Sequence, residues 1–206
     1  MPADPASPGA VPTRFLLMRV RGDAAGVHDA AGRLLALSPV PLALHRVAWS
    51  ADAGEGYAYG LVPDGSAPDA SAVAALERAL AQALPAGAAP TVSRLEPRLD
   101  VPGASHGRSP SHHYVVETDA EDGWMDEIAR WYDEEHMPGL AAVPGCVRAI
   151  RLISHDRGPR SFACYDLDGI ATFGSPPWLA VRGTEWSSRT RPHFRNTKRT
   201  MFEVIG

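Results

Sequence analysis

The sequence predicts an α+β fold in which two β-α-β-β-α-β units follow one another along a chain of 206 residues. Apolar runs of strand length alternate with segments of helical periodicity, and the same order occurs twice. Residues 100–111 lie between the two series and form a stretch rich in Pro, Gly and Ser that is typical of a linker. Two sheets, each with its own helices, are therefore expected.

The first unit is expected over residues 14–100, after a Pro- and Ala-rich leader at 1–13 whose composition predicts disorder and no signal peptide. Asp69 or Ser71 is the expected cap of its second helix, and a turn at Gly54–Gly56 joins its central strands. A loop is expected at 64–68. The strands are predicted at Arg14–Arg21, Leu42–Ser50, Tyr57–Val62 and Thr91–Leu99, and the helices at Asp23–Leu37 and Ala72–Leu84.

The second unit is expected over residues 112–206, after a linker at 101–111. Its opening helix falls within Gly123–Val143, and a helix-rich stretch broken at Pro176 and Pro177 covers Ile170–Arg195. The strands are predicted at His113–Thr118, Cys146–Ile153, Arg160–Leu167 and Lys198–Ile205.

This element order is that of a ferredoxin-like motif, which places two helices on one face of a four-stranded antiparallel sheet. The other face of each sheet is apolar and needs a partner. We expect the two bare faces to pack together into one closed barrel within the chain, a fused dimer of α/β units. Helices would then lie outside, and a ligand cavity between the sheets.

The composition limits the classes of function. A hydrophobic content of 45% and a net charge of −4 indicate a globular protein and give no support for binding nucleic acid or an anionic membrane surface. No apolar run approaches the ~20 residues of a membrane span. Cys146 and Cys164 lack CxxC spacing, so free thiols in a reducing cytoplasm are expected. The absence of HExxH, GxGxxG and P-loop patterns predicts no metal and no nucleotide cofactor.

Candidate chemistry centres on the segment Trp124–Leu140. Its aromatic residues and His136 recur at steps of three, four and seven, which puts them near one side of a helix. Because a proline at 138 interrupts helices, His136 is expected at the helix C-terminus, where the backbone favours an imidazolium. Histidine suits proton transfer near neutral pH. The alternative is that His136 only caps its own helix.

The second half, from about Tyr114 to Phe202, resembles the dimeric α/β-barrel superfamily, and within it the EthD-like group. The first half shares only the element order and has no counterpart of His136, so it is interpreted as a degenerate repeat. The motifs that carry the resemblance are Trp131-Tyr132-Asp133-Glu134-Glu135-His136-Met137-Pro138, Val143-Pro144-Gly145-Cys146, Phe162-Ala163-Cys164-Tyr165-Asp166-Leu167, Ser175-Pro176-Pro177-Trp178, and Trp186 through Arg191-Pro192-His193.

The resemblance implies a range of activities rather than one. The superfamily includes cofactor-free monooxygenases, polyketide cyclases, muconolactone isomerases, haem-degrading enzymes, dye-decolourising peroxidases and proteins without a known reaction. Function must therefore be argued from the site itself.

Further site residues are expected on the strands. Tyr165 and Cys164 are neighbours on one strand and must point to opposite faces; Tyr165 is expected inside the barrel, where its hydroxyl would hold an oxyanion. Cys164 is the less favoured candidate, since a buried thiol usually only packs. Arg148 and Arg151 have opposite parity, so one of them could enter the barrel and bind a carboxylate or enolate.

Aromatic and basic residues complete the set of expected ligand contacts. Trp131, Tyr132, Trp178 and Trp186 suit a flat aromatic ligand, with Cys164 and His193 as further contacts. The basic run 189–199 is either an anion site or a solvated face that lies beside the acidic helix 124–136. Haem ligation by His136 or His193 is not excluded, although nothing favours it.

The leading hypothesis is a cofactor-independent enzyme for an aromatic, quinone-like or lactone substrate, catalysing isomerisation, cyclisation or a related rearrangement by proton transfer. His136 is the expected acid/base, with Tyr165 and Arg148 or Arg151 stabilising the oxyanion. The alternatives are a cofactor-free monooxygenase of the same fold and a non-catalytic binder of small molecules. The pattern makes the chain a pseudo-dimer by itself and allows a homodimer.

Overall fold

The computed structural model describes residues 13–63 and 66–206. Residues 1–12 of the predicted leader and two residues of the predicted loop 64–68 lie outside this range. The first half of the chain contains β1 (Phe15–Arg21), α1 (Ala24–Leu37), β2 (Ala43–Ser50), β3 (Glu55–Leu61), α2 (Ala70–Ala83) and β4 (Thr91–Pro102).

The second half, from residue 103 onwards, begins with β5 (His112–Ala120) and a three-part helical segment. This segment comprises α3 (Met125–Trp131), a π-helical turn (Tyr132–His136) and α4 (Met137–Ala141). The remaining elements are β6 (Cys146–Ser154), β7 (Ser161–Leu167), a 3-10 turn (Ile170–Thr172), α5 (Pro176–Arg182), α6 (Glu185–Thr190), a 3-10 turn (Arg191–His193) and β8 (Phe194–Val204).

The eight strands of the described residues close into one antiparallel barrel in the order β1-β3-β2-β8-β5-β7-β6-β4. The two halves join where β2 pairs with β8 and β4 pairs with β6. β4 runs past its predicted end at Leu99 because Leu99–Pro102 pair with Arg151–Arg148 of β6. The start of the predicted linker is therefore strand.

The helices of the first half form as their sequence predicts and cover the outer face of β1–β4. Asp23 caps α1 and Asp69 caps α2, each by accepting a hydrogen bond from a backbone N–H of the first turn. The apolar side of each helix packs on the sheet in one cluster, which includes Val27 and Leu34 of α1 and Leu80 of α2. None of the described helices is long and apolar enough to span a bilayer.

Side chains fill the interior of the barrel. Large residues from both halves meet there, among them Leu17, Tyr57, Phe162 and Phe202, all fully buried. A cavity of about 20 Å³ remains at one end, which is room for a water-sized guest only. The expected cavity between the sheets is reduced to this small space and a pocket that adjoins it at the barrel end, because aromatic side chains occupy most of the interior.

A buried polar chain ties the two halves together at this end of the barrel. Tyr59 Oη lies 3.1 Å from His113 Nε2, and His113 Nδ1 lies 2.7 Å from Asp166 Oδ1. Arg46 completes the chain with a 2.9 Å bond to Asp166 Oδ2. Burial acts to raise the pKa of Asp166, but His113 and Arg46 outweigh it and hold that pKa below its usual value.

Candidate functional site

The cavity that contains His136 lies outside the barrel, between the outer face of the second-half sheet and its helices. We call it the helix-side cavity. Its volume is about 20 Å³, again the space of a water-sized guest. Its aromatic wall comprises Tyr114, Trp131, Tyr132, Tyr165, Trp178 and Phe194, and its remaining polar lining is His136, Arg182, Arg191 and Arg199.

His136 reaches this cavity because the helix does not end where the proline predicts. The π-helical turn comes before Pro138 and is marked by the hydrogen bond from Met137 N to Tyr132 O. The helix then continues through α4. The wider turn already interrupts the regular series of backbone hydrogen bonds, so the helix can continue although Pro138 has no N–H to donate. His136 is consequently mid-helix rather than at a C-terminus, and its ring stacks on Trp131 at 4.2 Å between centroids.

Two acidic residues of the π-helical turn point away from the cavity and fix the turn in place. Asp133 accepts two bonds from Arg151, at 2.8 and 3.0 Å. Glu135 accepts from Trp131 Nε1 at 3.2 Å and from Thr184 Oγ1 at 2.7 Å. The turn is thus bound to β6 on one side and to the start of α6 on the other, which holds His136 against the sheet.

Three buried polar atoms at this cavity have no hydrogen-bond partner among the described residues: His136 Nδ1, Tyr165 Oη and Trp178 Nε1. Trp178 is fully buried and Tyr165 is 1% exposed. An unpaired buried polar group costs roughly 1–3 kcal/mol, so native proteins seldom leave one without a water or a ligand. Three in one small space indicate a place built to bind a polar molecule.

The cavity is electropositive. Arg182, Arg191 and Arg199 line it, and none of them pairs with a carboxylate in the described part of the chain. Arg191 instead donates to the backbone carbonyls of Ser187 and Arg182, at 3.2 and 2.8 Å. Burial first, then the charges of Arg182 and Arg199, lower the pKa of Arg191.

The same field acts on His136. Burial, followed by the charges of Arg182 and Arg191, lowers its pKa to about 3. The expected imidazolium is therefore wrong, since the ring is neutral at physiological pH. Burial also raises the pKa of the Tyr165 hydroxyl well above its usual value, so this group remains a donor.

The strand residues are placed differently from the prediction. Cys164 and Tyr165 do point to opposite faces, but Tyr165 packs on the helical side and Cys164 faces the barrel interior. The expected inward Tyr165 is wrong, because the aromatic cluster under the helices includes its ring. Burial raises the pKa of the Cys164 thiol far above its usual value, which leaves it protonated and unreactive.

Neither predicted arginine reaches His136. Arg148 lies at the end of the barrel, where it binds Asp100 at 2.6 and 2.8 Å and His45 at 3.0 Å. Arg151 is on the opposite side of the strand, held by Asp133. The parity argument is correct for these two residues, but both guanidinium groups are already neutralised by carboxylates.

Two further predicted contacts lie away from the cavity. Trp186 donates to Glu127 at 2.9 Å among surface charges, and His193 binds Glu121 at 2.7 Å while stacking on Trp124. Their place is therefore the outer helical surface. Trp131, Tyr132 and Trp178, by contrast, line the cavity with His136 and Tyr165.

The residues that sequence reasoning missed are mainly the arginines. Arg191 and Arg199 belong to the basic run for which the sequence leaves two interpretations open. The solvated-face interpretation fits Arg189 and Arg195, which pair with Glu127 and Glu121 on the surface. Arg182 lies outside that run. Its available signal was its position four residues after Trp178, which puts both on one face of α5.

Haem does not fit these residues. The cavity at His136 is far smaller than a porphyrin, and His193 is occupied by Glu121 and Trp124. No group of three or more His, Cys, Asp or Glu side chains within residues 13–63 and 66–206 is arranged to hold a metal ion. The polar groups at the cavity are instead the neutral imidazole of His136, the donors Tyr165 Oη and Trp178 Nε1, and three guanidinium cations.

The sequence matches no protein-family model and no curated protein. Among solved structures it is similar to an anthrone oxidase-like protein, with a TM-score of 0.62 at 12% identity over 94% of this chain and 92% of that one. A proposed monooxygenase from Fusobacterium nucleatum subsp. nucleatum gives 0.60 at 11% identity over 96% and 94%.

A heme-degrading enzyme from Listeria monocytogenes gives a TM-score of 0.53 at 7% identity, over 93% of this chain and 100% of that one. At such identities the likeness concerns the fold alone. The chain therefore shares the α+β barrel fold of monooxygenase-like proteins along nearly its whole length.

Proposed function

We propose that this protein is a cofactor-independent enzyme that moves a proton within a small aromatic, quinone-like or lactone substrate, by isomerisation or cyclisation. The supporting observation is that His136 Nδ1, Tyr165 Oη and Trp178 Nε1 are all buried without partners among the described residues, and that their three side chains line one electropositive cavity. Such a constellation pairs a proton acceptor with donors for an oxyanion.

In the proposed mechanism the neutral imidazole of His136 accepts a proton from an acidic C–H or O–H group. The Tyr165 hydroxyl and the Trp178 indole N–H donate to the oxygen on which negative charge develops. An imidazole whose conjugate acid has a pKa of about 3 is a weak base. The developing oxyanion offsets the arginine charges that help lower this pKa, so the proton affinity of His136 rises as the reaction proceeds.

The test is hydrogen exchange in D₂O with a panel of enolisable aryl ketones, hydroxyquinones and unsaturated lactones, followed by NMR and mass spectrometry. We expect catalysed exchange on at least one class and a loss of roughly 10²–10⁴-fold in His136→Gln. His193→Gln is the matched control, since His193 lies outside the cavity, and it should retain full exchange. Full exchange in His136→Gln would show that the proposed role is wrong.

The second candidate is a cofactor-free monooxygenase, supported by the likeness to the anthrone oxidase-like protein and to the proposed monooxygenase. Both candidates begin with loss of a proton to His136. They differ in whether the resulting carbanion meets a proton or dioxygen. An oxygen electrode separates them: oxygen uptake that matches product formation supports the monooxygenase, and turnover under argon supports the isomerase.

We further propose that the chain is a fused pair of ferredoxin-like repeats, related to the EthD-like group through its second half. The support is the strand order, which is β4-β1-β3-β2 in the first half and β8-β5-β7-β6 in the second. The first half would be the repeat that completes the barrel. Two free buried thiols support a location in a reducing cytoplasm.

A further inference from the structure

Three arginines without carboxylate partners at one small cavity exceed what a transient oxyanion requires. Elsewhere in the described chain, arginines that approach buried sites are neutralised, as Arg46 is by Asp166 and Arg94 by Asp156. Around the helix-side cavity, Arg182, Arg191 and Arg199 repel one another in the absence of a ligand. A resting anion in their midst removes this repulsion.

The three arginines also lie in a defined part of the site. Arg199 is exposed and Arg182 and Arg191 are half-buried, whereas His136, Tyr165 and Trp178 are buried. The arginines therefore form the rim of the cavity and the orphaned polar atoms form its floor. A guest that contacts both has an ionised group at one end and a polar, reacting group at the other.

The wall between rim and floor is aromatic. Trp131, Tyr132 and Phe194 contact one another there, with Tyr132 and Phe194 stacked at 6.1 Å. Such a wall favours a flat, conjugated body. The backbone bonds from Arg191 Nε to Ser187 O and from Arg191 Nη2 to Arg182 O hold its guanidinium at the rim and leave the Nη1 hydrogens and the second Nη2 hydrogen for a carboxylate.

From this geometry we infer that Arg182, Arg191 and Arg199 form a carboxylate-binding subsite, and that the ligand is a small aromatic or conjugated carboxylate whose ionised group docks at the rim. The inference names a substrate class for the proposed enzyme and rests on that proposal for the reaction, though not for binding. Since the cavity holds only a water-sized guest as it stands, the inference requires the side chains of Arg182 and Arg199 to move aside and admit the ring, while Arg191 keeps its backbone bonds.

The test compares benzoate with benzamide, its neutral counterpart, by calorimetry and by the indole N–H signals of ¹⁵N-labelled full-length protein at constant ionic strength. We expect benzoate to bind roughly tenfold or more tightly than benzamide and to shift the Trp178 indole signal. Arg182→Gln and Arg199→Gln should each weaken benzoate binding roughly tenfold and leave benzamide unchanged, while Arg182→Lys retains most of the affinity.

Matched controls come from the same basic run. Arg189→Gln and Arg195→Gln remove equal charge from residues that pair with Glu127 and Glu121 outside the cavity, and they should not change benzoate binding. If the controls lost as much benzoate affinity as the cavity variants, net charge alone would explain the loss and the proposed subsite would be wrong. No benzoate binding at millimolar concentration, or tighter binding of inorganic phosphate than of benzoate, would also overturn the subsite.

His136→Gln separates this inference from the proposed reaction. Benzoate binding retained in this variant, with hydrogen exchange lost, supports both. Binding retained together with full exchange leaves the subsite in place and removes the proposed role of His136. If only the arginine variants lose the preference for benzoate over benzamide, the subsite is supported whatever the reaction is.

Discussion

At the scale of single residues, the proton affinity of His136 follows from what surrounds its ring. The side chain is 7% exposed, stacks on Trp131 and faces a rim of arginines. Burial and the arginine charges both disfavour the doubly protonated, charged imidazolium. His45 at the end of the barrel is in a similar position, because burial, Arg148 and Arg46 lower its pKa to about 4.

The first prediction concerns acid stability. The pKa of His136 is about 3 in the folded chain and near 6.5 when unfolded, so between these values the unfolded state binds the additional proton. Stability should therefore fall as the pH drops below about 6.5, by up to ~1.4 kcal/mol per pH unit for this residue. His136→Gln should make the dependence of the unfolding free energy on pH shallower over this window.

Urea titrations at a series of pH values measure this effect, and NMR of the imidazole measures the pKa directly. His45→Gln is the companion variant. Because the pKa of His45 is about 4 in the folded chain, its effect on the pH dependence of stability should end near pH 4. Arg182→Gln should raise the pKa of His136, because the charge of Arg182 is the largest contribution after burial. A His136 titration midpoint near 6.5 would contradict the prediction.

The orientation of Tyr165 shows why some residue placements could not be predicted. Every residue of β7 is buried, from Ser161 to Leu167, because helices cover one face and the barrel interior the other. Alternation between apolar and polar residues, which tells the two faces of a half-exposed strand apart, is therefore missing. Sequence could establish that Cys164 and Tyr165 point apart, but not which of them points inward.

At the scale of elements, the π-helical turn determines the site. Its extra residue per turn shifts the residues after Tyr132 relative to those before it, which leaves His136 over Trp131 and against the sheet. The 3.6-residue periodicity of the sequence was enough to predict the helix and its buried aromatic side. That periodicity contains no signal for the wider turn, and a proline alone predicts the end of a helix.

The second prediction tests what holds this turn. Asp133→Ala leaves the guanidinium of Arg151, which is 5% exposed, without its carboxylate partner. Because Asp133 itself is partly solvated, we expect a loss of roughly 1–3 kcal/mol in unfolding free energy. Glu134→Ala is the matched control, one residue further along and exposed, and should change stability by less than ~0.5 kcal/mol. Equal effects in the two variants would show that the ion pair does not stabilise the turn.

For the molecule as a whole, the closed barrel accounts for the small space in its interior and for the position of the helix-side cavity outside it. Each half covers the apolar inner face of the other, and aromatic residues such as Tyr57, Phe162 and Phe202 fill the interior. The order of strands and helices was predictable from periodicity, turns and caps. The degree to which the interior is filled was not, since it depends on how side chains from distant segments interlock. The helix-side cavity is lined by residues of the second half alone.

The third prediction follows from this mutual cover. A fragment of residues 103–206 keeps its helices on one face but exposes Val115, Ile150, Phe162 and Phe202 on the other. An open sheet with such a face and two free edges should associate with a second copy, by the same edge pairings that join β2 to β8 and β4 to β6 in the intact chain. Light scattering should therefore give the mass of a dimer for the fragment.

Phe202→Glu in the fragment places a charge on the inner face and should abolish the dimer, whereas Arg189→Gln on the outer helical surface should not. The dimer would carry two helix-side cavities and bind two equivalents of benzoate, because every residue of that cavity lies in the second half. A folded, monomeric fragment would contradict the prediction. It would mean that the first half is dispensable for covering the second, and that the barrel interior contributes less to folding than its aromatic content implies.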